Sequence, residues 1–599
     1  MIRTSSFVRM FTFLAVAAAG NHAQSAELLG HWKLQGDCRD YSGHGNDGVS
    51  HGVNMGPEGA VFDGLNHYVE IPDSPVFDVG TSSFTITAWV KCDGSVTNVP
   101  GDIVNKYDPA LRRGINLHVN ASSPGYASLS DARNVQFGID NAVEGEWEDC
   151  GRPWPSNSLI STLVVFKGHL YTGIADASDP QDGCHMFRYD GGQKWVDCGR
   201  VSGTGHLKNV SVFCDVVHQG ELYAGSGIWD WEKVWKGLGA ENGDPAQIYR
   251  YAGGTTWEDC GQLTAPSDLP SFRVSSIASF GGHLYASDNT DALYRYDDAQ
   301  GWTACGRPGS IDYTKYPAGD IVAMMPYQGK LYAARHGASV FRYSGGTDWE
   351  DIGEVFHNGR SGKFGCDQIH TLGVYQGSLY LGTWPDGKVL RYEGGHEYSE
   401  CGWVGIDPQF KRNEVNDLTV YNGKLYAGVI PKSEVWRYEG GQQWTMVRQL
   451  LNNPDFSVKK PITWDRVPCM TVYGGRLYCG TGTCHGRAAE EFNYDVGKVF
   501  SFEAGKCISY DDDLGSQWRH VAAVREKNRL RLYVDGRLVA SSTKFDPAAF
   551  DLTNDKPLLI GFGQENYFNG MLRDVRLYGK ALSAAQVKKS SKSLPEMRG

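Results

Sequence analysis

A recurring alternation of hydrophobic and polar positions fills the middle of the chain. Each copy holds a short apolar run such as residues 163–166, then Gly-x-Leu-Tyr, then Arg-Tyr-x-Gly-Gly-x-x-Trp or a close variant. Short apolar runs separated by glycine turns are typical of antiparallel strands, and four strands per copy are typical of a propeller blade. The Leu-Tyr pair marks seven copies, 46 to 62 residues apart, at Leu170-Tyr171, Leu222-Tyr223, Leu284-Tyr285, Leu331-Tyr332, Leu379-Tyr380, Leu425-Tyr426 and Leu477-Tyr478. The pattern therefore predicts a seven-bladed β-propeller.

The last copy lacks its outer strand. It reaches Gly505 and ends without the tryptophan-containing segment that closes the other copies. A segment of that kind, Glu-Trp-Glu-Asp-Cys-Gly at residues 146–151, stands before the first copy instead. We expect residues 145–151 to pair with the last copy, so that strands distant in the chain close the ring.

The two ends of the chain carry a different pattern. Near the N-terminus, the turn-rich residues 40–48 precede residues 84–90, which alternate large and polar side chains as a half-buried strand does. Near the C-terminus, strand-like residues 530–534 lead into the favoured hairpin pair Asp535-Gly536, and residues 568–578 form a further strand pattern. In this order the segments resemble the laminin-G-like, concanavalin-A-like jelly roll, divided into two halves.

The two halves are expected to form one domain, because an open sheet would leave backbone donors and apolar side chains exposed. A closed propeller can be inserted between them, since its first and last strands are neighbours. The predicted fold is all-β, a concanavalin-A-like jelly-roll sandwich interrupted by a seven-bladed β-propeller. The boundaries place a signal peptide at 1–26, jelly-roll halves at 27–142 and 506–599, and the propeller at 143–505.

The repeated Tyr, Gly-Gly and Trp are interpreted as structural, because every blade needs the same core and the same turn. The turn is loosely similar to the Asp-box of sialidase-like propellers, and kelch repeats match equally loosely. The aspartate of the first copy, Asp190, becomes Ala252, Ser344, Glu393 or Glu439 in others. The resemblance supports the fold and does not indicate hydrolysis.

The N-terminus predicts export. Arg3 and Arg9 precede an apolar run at residues 10–19, which small residues follow, as in a secretory signal. The run is too short to cross a bilayer, so no membrane insertion is expected. A net charge of -12 without a basic run also argues against nucleic-acid partners.

Fourteen cysteines in an exported chain favour disulfides, although their spacing is not that of a zinc site. Five occupy one repeat position and are expected to lie too far apart to bridge one another: Cys150, Cys198, Cys260, Cys305 and Cys401. Cys38 and Cys92 are a possible pair in the flanking domain. Cys479 and Cys484 favour a local disulfide over haem attachment, because their spacing is too long for haem.

Ligand binding is expected at one mouth of the channel, where the irregular loops after the second strands converge. A tryptophan there would stack on a sugar ring while polar groups take its hydroxyls. The alternative is that these loops fold on themselves or pack on the jelly roll. The candidate residues are Trp229, Asp230, Trp231, Arg335, His336, Trp384, Asp386, His485 and Arg487.

These features favour an exported protein that binds glycans or glycoproteins. One alternative is a carbohydrate-active hydrolase or lyase, for which carboxylates such as Asp320 and Asp417 would have to converge at the channel mouth. The other is a protein-interaction scaffold. No nucleophile elbow, zinc-protease motif or phosphate loop occurs, so no catalytic residue is assigned.

The jelly-roll resemblance also implies a structural calcium ion. Candidate ligands are Asp40, Asn46, Asp47 and Asp574, because calcium prefers oxygen donors. The alternative is that Asp40 and Asn46 are turn residues that bond their own backbone.

Overall fold

The computed structural model describes residues 28–121, 129–175, 183–206, 208–228, 244–264, 271–309, 320–337, 339–354, 368–406, 412–454, 456, 464–483 and 492–592. The described residues are almost entirely β-structure. They include one α-helix, α1 (Ala584–Ser590), and two 3-10 turns, Pro75–Phe77 and Pro547–Ala549. The all-β prediction is confirmed.

The first nine strands are β1 (Leu28–Trp32), β2 (Val49–His51), β3 (Asn54–Gly56), β4 (Gly59–Asp63), β5 (Tyr68–Ile71), β6 (Phe84–Cys92), β7 (Gly101–Asp108), β8 (Arg113–Ala121) and β9 (Arg133–Asp149). The last six are β37 (Val499–Tyr510), β38 (Arg519–Glu526), β39 (Arg529–Val534), β40 (Arg537–Ser541), β41 (Leu558–Ile560) and β42 (Asn569–Tyr578).

The strands between them are β10 (Leu159–Ile160), β11 (Val164–Phe166), β12 (His169–Ala175), β13 (His185–Tyr189), β14 (Trp195–Arg200), β15 (Ser211–His218), β16 (Glu221–Gly227), β17 (Gln247–Gly253), β18 (Thr256–Gln262), β19 (Val274–Phe280), β20 (His283–Asp288), β21 (Leu293–Asp297), β22 (Gly301–Ala304), β23 (Ile321–Tyr327), β24 (Lys330–Arg335), β25 (Ser339–Gly345), β26 (Asp348–Glu354), β27 (Gln368–Tyr375), β28 (Ser378–Trp384), β29 (Lys388–Gly394), β30 (Glu397–Trp403), β31 (Glu414–Tyr421), β32 (Lys424–Ile430), β33 (Glu434–Gly440), β34 (Gln443–Gln449), β35 (Arg466–Tyr473) and β36 (Arg476–Gly482).

Strands from both ends of the chain build the sandwich. One sheet runs β3-β4-β42-β6-β38-β39-β40, with β1 also paired to β42. The other runs β2-β5-β41-β7-β8-β9-β37. Along β8, Ile115, Leu117 and Val119 point into the apolar core between the sheets, while Asn116 and His118 alternate onto the opposite face. The distant halves therefore share one core.

The middle strands form seven four-stranded antiparallel units over the described residues. Six units are consecutive in the chain: β11–β14, β15–β18, β19–β22, β23–β26, β27–β30 and β31–β34. We call these blades 1 to 6. Blade 7 consists of β35, β36, the first part of β37 and the last part of β9.

A ring of aromatic pairs joins neighbouring blades. In each pair, a tyrosine of the second strand meets an aromatic ring of the third strand of the next blade, at centroid distances of 5.7 to 6.4 Å. Such pairs add about 0.5–1.5 kcal/mol each beyond the area that they bury. The seven pairs are Tyr478–Tyr189, Tyr171–Tyr251, Tyr223–Tyr296, Tyr285–Tyr343, Tyr332–Tyr392, Tyr380–Tyr438 and Tyr426–Phe502.

One long ladder belongs to both domains. Strands β9 and β37 pair inside the sandwich, where Phe137 lies opposite Ile508, and continue into blade 7, where Trp147 lies opposite Phe502. The register shifts near Ala504, where the ladder passes from one domain to the other. The first and last strands of the ring thus meet by ordinary backbone hydrogen bonds.

The twelve cysteines in the described part of the chain are all free thiols. The suggested bridge between Cys38 and Cys92 is therefore wrong. Cys92 is buried, whereas the Cys38 thiol donates to the Gly48 carbonyl at 2.8 Å. Cys484 lies outside the described residues, so its predicted pairing with Cys479 is not described.

Candidate functional site

Charged residues begin the innermost strands of four blades at one mouth of the channel. Arg273 precedes β19, Asp320 precedes β23, Glu414 starts β31 and Arg466 starts β35. All four are buried, with at most 6% of each residue exposed. In each blade the innermost strand and the second strand are antiparallel, so the start of the innermost strand lies beside the end of the second strand. The predicted ligand-binding loops follow the second strands and therefore belong to this same mouth.

Asp320 is the anchor of one half of this cluster. Its carboxylate pairs with Arg273 and accepts hydrogen bonds from Ser275 Oγ at 2.8 Å and His336 Nδ1 at 2.6 Å. Burial alone would raise the pKa of Asp320, but Arg273 and His336 outweigh burial and hold this pKa well below its ordinary value. Asp320 is therefore ionised at neutral pH.

Glu414 anchors the other half. Its carboxylate lies 3.3 Å from His370 Nδ1 and 3.8 Å from an Arg466 guanidinium nitrogen, and it contacts the Asn416 amide. Burial raises the pKa of Glu414, although Arg466 opposes this effect. Burial, together with the charges of His336 and Arg466, lowers the pKa of His370 well below its ordinary value. His370 is therefore neutral at physiological pH.

The two halves meet through their imidazoles. The rings of His336 and His370 lie 4.9 Å apart, centroid to centroid. The contacts therefore run from Arg273 through Asp320 and both imidazoles to Glu414 and Arg466, across blades 3 to 7. We call these six residues the mouth cluster.

The mouth cluster can perform two kinds of chemistry. A carboxylate that orients an imidazole is the arrangement used for general acid–base catalysis. Paired arginines can instead bind anionic or hydroxyl-bearing groups. Its charges compensate one another, which offsets part of the free-energy cost of burying them.

The structure brings Trp384 next to the mouth cluster. Gln368 pairs in register with Trp384, forms a bridge to His336, and lies 2.6 Å from His370 Nε2 through its side-chain oxygen. Trp384 is half-buried, whereas Asp386 is buried and bridged to Asn413.

Besides Asp386, two more of the predicted ligand residues are less accessible than the sequence indicated. His336 is buried within the mouth cluster. Arg335 is also buried: it pairs with Asp291 at 3.2 Å and its guanidinium lies 4.7 Å from the Phe341 ring centre. The reason is that long polar side chains at strand ends turn inward to compensate one another. Trp229, Asp230, Trp231, His485 and Arg487 lie outside the described residues.

Sequence reasoning missed Arg273, His370, Glu414 and Arg466. A signal was present, because the repeats align and these residues occupy the starts of innermost strands, where the other blades carry small or neutral residues. The signal lies at the starts of the innermost strands, and not in the loops after the second strands, where the ligand-binding residues were predicted.

The jelly roll covers the opposite mouth. There, backbone N–H groups in or next to the hairpin between the first and second strands of three blades donate hydrogen bonds to carbonyl groups of the jelly roll. The three bonds are Ser279 N to the Leu129 carbonyl at 2.9 Å, Gln376 N to the Gln564 carbonyl at 3.1 Å, and Gly168 N to the Asp511 carbonyl at 2.9 Å. The polar face of β8 lies beneath the blades, with His118 only 2% exposed. A cavity of about 40 Å³ remains at this junction, lined in part by Glu565.

Three of the four predicted calcium ligands, Asp40, Asp47 and Asp574, have partners within the protein. Asp40 accepts from the backbone of His31 and Ser42, and Asp47 accepts from the Asp40 amide at 2.8 Å. Asp574 is paired with Arg576 and with His31, both through one carboxylate oxygen. The described residues include no group of three or more potential ligands placed to hold a metal ion. Calcium binding stays a prediction, which calcium titration of thermal stability would test.

Comparison with known proteins finds one family match, in the C-terminal part of the chain. The family profile of the concanavalin A-like lectin/glucanases superfamily matches residues 500–588. No curated protein matches the chain. Within the described residues, no helix has the length and apolarity needed to cross a membrane.

Several solved structures resemble the chain at low identity. The virginiamycin B lyase of Staphylococcus aureus is 10% identical, covers 60% of this chain and 98% of its own, and has a TM-score of 0.40. The WD40 propeller domain of Doa1 is 9% identical over 60% of this chain and 97% of its own, with a TM-score of 0.34. BamB from Moraxella catarrhalis is 10% identical over 64% of this chain and 99% of its own, with a TM-score of 0.35. With TM-scores of 0.40 or less, these likenesses carry no conclusion about this chain.

Proposed function

We propose that this protein is exported and binds glycans or glycoproteins at the open mouth of its propeller. The observation that carries the proposal is the difference between the two mouths. One is covered by the jelly roll, and the other presents Trp384 beside a buried cluster of arginines, histidines and carboxylates. An aromatic ring next to fixed polar groups suits a sugar, whose ring has an apolar face and whose edge carries hydroxyls.

The similarity to the concanavalin A-like lectin/glucanases superfamily supports the ligand class. It does not supply the position, because the polar face of the sheet that contains β8 is buried against the propeller. Asn116 on this face is fully buried and donates to Asn422 of blade 6 at 3.0 Å. The proposed site therefore belongs to the propeller, and the jelly roll supports it from below.

A glycan array probed with the mature protein tests the proposal. We expect selective binding, and we expect W384A to weaken it at least tenfold because the stacking surface is lost. W403A is the matched control, since Trp403 is 40% exposed on the outermost strand of blade 5, which is the strand of that blade farthest from the channel. Equal loss in both variants, or binding unaffected by W384A, would contradict the proposed position. Capture of a protein partner without any glycan signal would support a scaffold instead.

The facing imidazoles favour a second candidate function, a carbohydrate-active lyase or hydrolase. Neutral His370 is in the protonation state that accepts a proton, and Asp320 orients His336. Incubation with glycan fragments should then release shorter products, and H370N or H336N should abolish the release while the array signal persists. Binding without product release in the unmodified protein would exclude this candidate.

A further inference from the structure

The interface between blades 6 and 7 differs from the other six. In those six, an outer-strand aromatic residue donates a hydrogen bond to the preceding blade: Trp195 to the Cys150 carbonyl at 2.8 Å is one example, and Tyr398 to Ile352 at 3.1 Å is another. Trp147 holds this position in blade 7 and has no hydrogen-bond partner in the described part of the chain. It lies flat on Phe502 instead, with centroids 4.7 Å apart and planes inclined by 18°.

The sequence at this interface differs in the same place. The outer strands of the other blades end in Cys-Gly or Ile-Gly, and the glycine lets the turn of the next blade approach closely. A Cβ at Gly199 would lie 2.4 Å from the Thr255 carbonyl oxygen, and one at Gly402 would lie 2.5 Å from that of Gln442. Blade 6 has Val447-Arg448 at this position.

The missing turn explains the substitution. The outer strand of blade 7 arrives directly from the jelly roll as the continuation of β9, so no Gly-Gly turn approaches blade 6. The space that a turn fills elsewhere remains as an open groove of about 410 Å³. Its lining includes Glu144, Trp147, Arg437, Met446 and Arg448, and we call it the blade 6–7 groove.

The chemistry of the blade 6–7 groove is distinct. Arg448 is exposed, lies 5.7 Å from the Trp147 ring centre, and forms no ion pair with a described residue. Arg437, by contrast, is paired with Glu144 and Glu439. The groove therefore offers one uncompensated cation, one half-buried indole with an available N–H, and the partly exposed carboxylate of Glu144.

From this arrangement we propose that the blade 6–7 groove is a second binding site, which takes an acidic sugar residue of the uronic acid class. The pyranose ring would stack on Trp147, the sugar carboxylate would pair with Arg448, and Glu144 would accept from a hydroxyl. The net charge of -12 disfavours long polyanions, so the occupant is a short acidic oligosaccharide. The inference deepens the proposed glycan binding and rests on it for the ligand class.

Calorimetric titration of the full-length mature protein with digalacturonate tests this inference. We expect binding that weakens at least tenfold when the sugar carboxylates are methyl-esterified, because Arg448 then loses its partner. R448G should weaken binding equally while preserving the fold, since glycine is the residue that the other blades carry here. W147F, which keeps the stacked ring and removes the indole N–H, should have a smaller effect. R295Q is the matched control, because Arg295 is an exposed arginine on blade 3.

The outcomes separate this inference from the proposed function. Unchanged affinity in R448G, equal affinity for the methyl ester, or no binding of digalacturonate to the unmodified protein would each overturn the groove site. If W384A abolishes digalacturonate binding and R448G does not, the acidic sugar binds at the mouth, and the proposed function stands without the groove. Digalacturonate binding that depends on Arg448 but not on Trp384 supports the groove even if the mouth binds no glycan.

Discussion

Two carboxyl groups are buried in the innermost strands without a basic partner among the described residues. Asp417 on β31 and Asp215 on β15 are at most 1% exposed. Burial raises the pKa of Asp417 to about 8 and that of Asp215 to about 7, despite the hydrogen bonds that each accepts. Both groups are protonated in the folded protein at mildly acidic pH, whereas an unfolded carboxyl is ionised there.

This difference in protonation predicts that the contribution of Asp417 and Asp215 to the free energy of unfolding falls as pH rises. Between the ordinary carboxyl pKa and the raised folded value, the folded state holds a proton that the unfolded state has lost. Each such group therefore lowers the free energy of unfolding by about 1.4 kcal/mol per pH unit in that window, and the loss ends near the folded pKa. D417N removes one of these protons, and its amide oxygen still accepts from the Met470 amide. We expect D417N to be more stable than the unmodified protein at pH 8 and to show a shallower decline from pH 5 to 8.

Urea unfolding at several pH values measures both effects. D298N is the control, because Asp298 is exposed and should leave the slope unchanged. An identical slope in D417N would show that Asp417 is ionised in the folded protein.

At the residue scale, sequence reasoning located the mouth better than it described the side chains there. His336 and Trp384 lie at the predicted mouth, because strand ends follow from the repeat. Arg335 was expected to face a ligand and instead pairs with Asp291, from a different blade. A repeat pattern shows which residues are equivalent, but ion pairs between blades depend on three-dimensional neighbours.

At the element scale, the outer strands of blades 1 to 6 tie each of these blades to the one before it. Trp257 of blade 2 donates from Nε1 to the Cys198 carbonyl of blade 1 at 2.9 Å. The ring also packs 5.0 Å from Tyr251 within its own blade. The repeat residues thus serve as a bond between blades and as a core, as the structural interpretation of the sequence predicted.

Removing the hydrogen bond from Trp257 to the Cys198 carbonyl, while keeping an aromatic ring, should measurably lower the free energy of unfolding. W257F keeps an aromatic ring and removes the donor, leaving the Cys198 carbonyl without its partner, so we expect a loss of about 1–2 kcal/mol in the free energy of unfolding. W403F is the control, because Trp403 is exposed. Chemical denaturation of both variants checks the difference, and equal stabilities would show that the carbonyl is satisfied by water.

Elements were the most predictable level of this structure. Each strand pattern recurs in seven copies, so an ambiguous run in one copy is resolved by the others. The Val447-Arg448 departure is also visible in the sequence. The groove that accompanies this departure could not be predicted from the sequence. It depends on a turn that is missing from blade 7, and therefore on how the ring closes.

At the scale of the whole molecule, the propeller and the sandwich behave as one body. They share the β9–β37 ladder, and the hairpins of several blades bond to the jelly roll. The splitting of the jelly roll was predictable, since its motifs stand in order at the two ends of the chain. The sheet face that contacts the propeller could not be predicted, because alternating polar residues such as Asn116 and His118 are typical of a solvated sheet face.

Asn422 provides a test of this coupling. It lies in the hairpin of blade 6, and its amide donates to the Ile139 carbonyl of the sandwich at 3.2 Å and to the Ala504 carbonyl at 2.7 Å, while its oxygen accepts from Asn116. N422A leaves these three buried groups without partners, so we expect a loss of about 2–4 kcal/mol. The control is Q219A, at the matching hairpin position of blade 2, where the backbone is similarly left-handed but the side chain is exposed. Because the domains share a ladder, tryptophan fluorescence during urea unfolding should show a single transition that N422A moves as a whole. Two transitions, of which N422A moves only one, would mean that the propeller and the sandwich unfold independently.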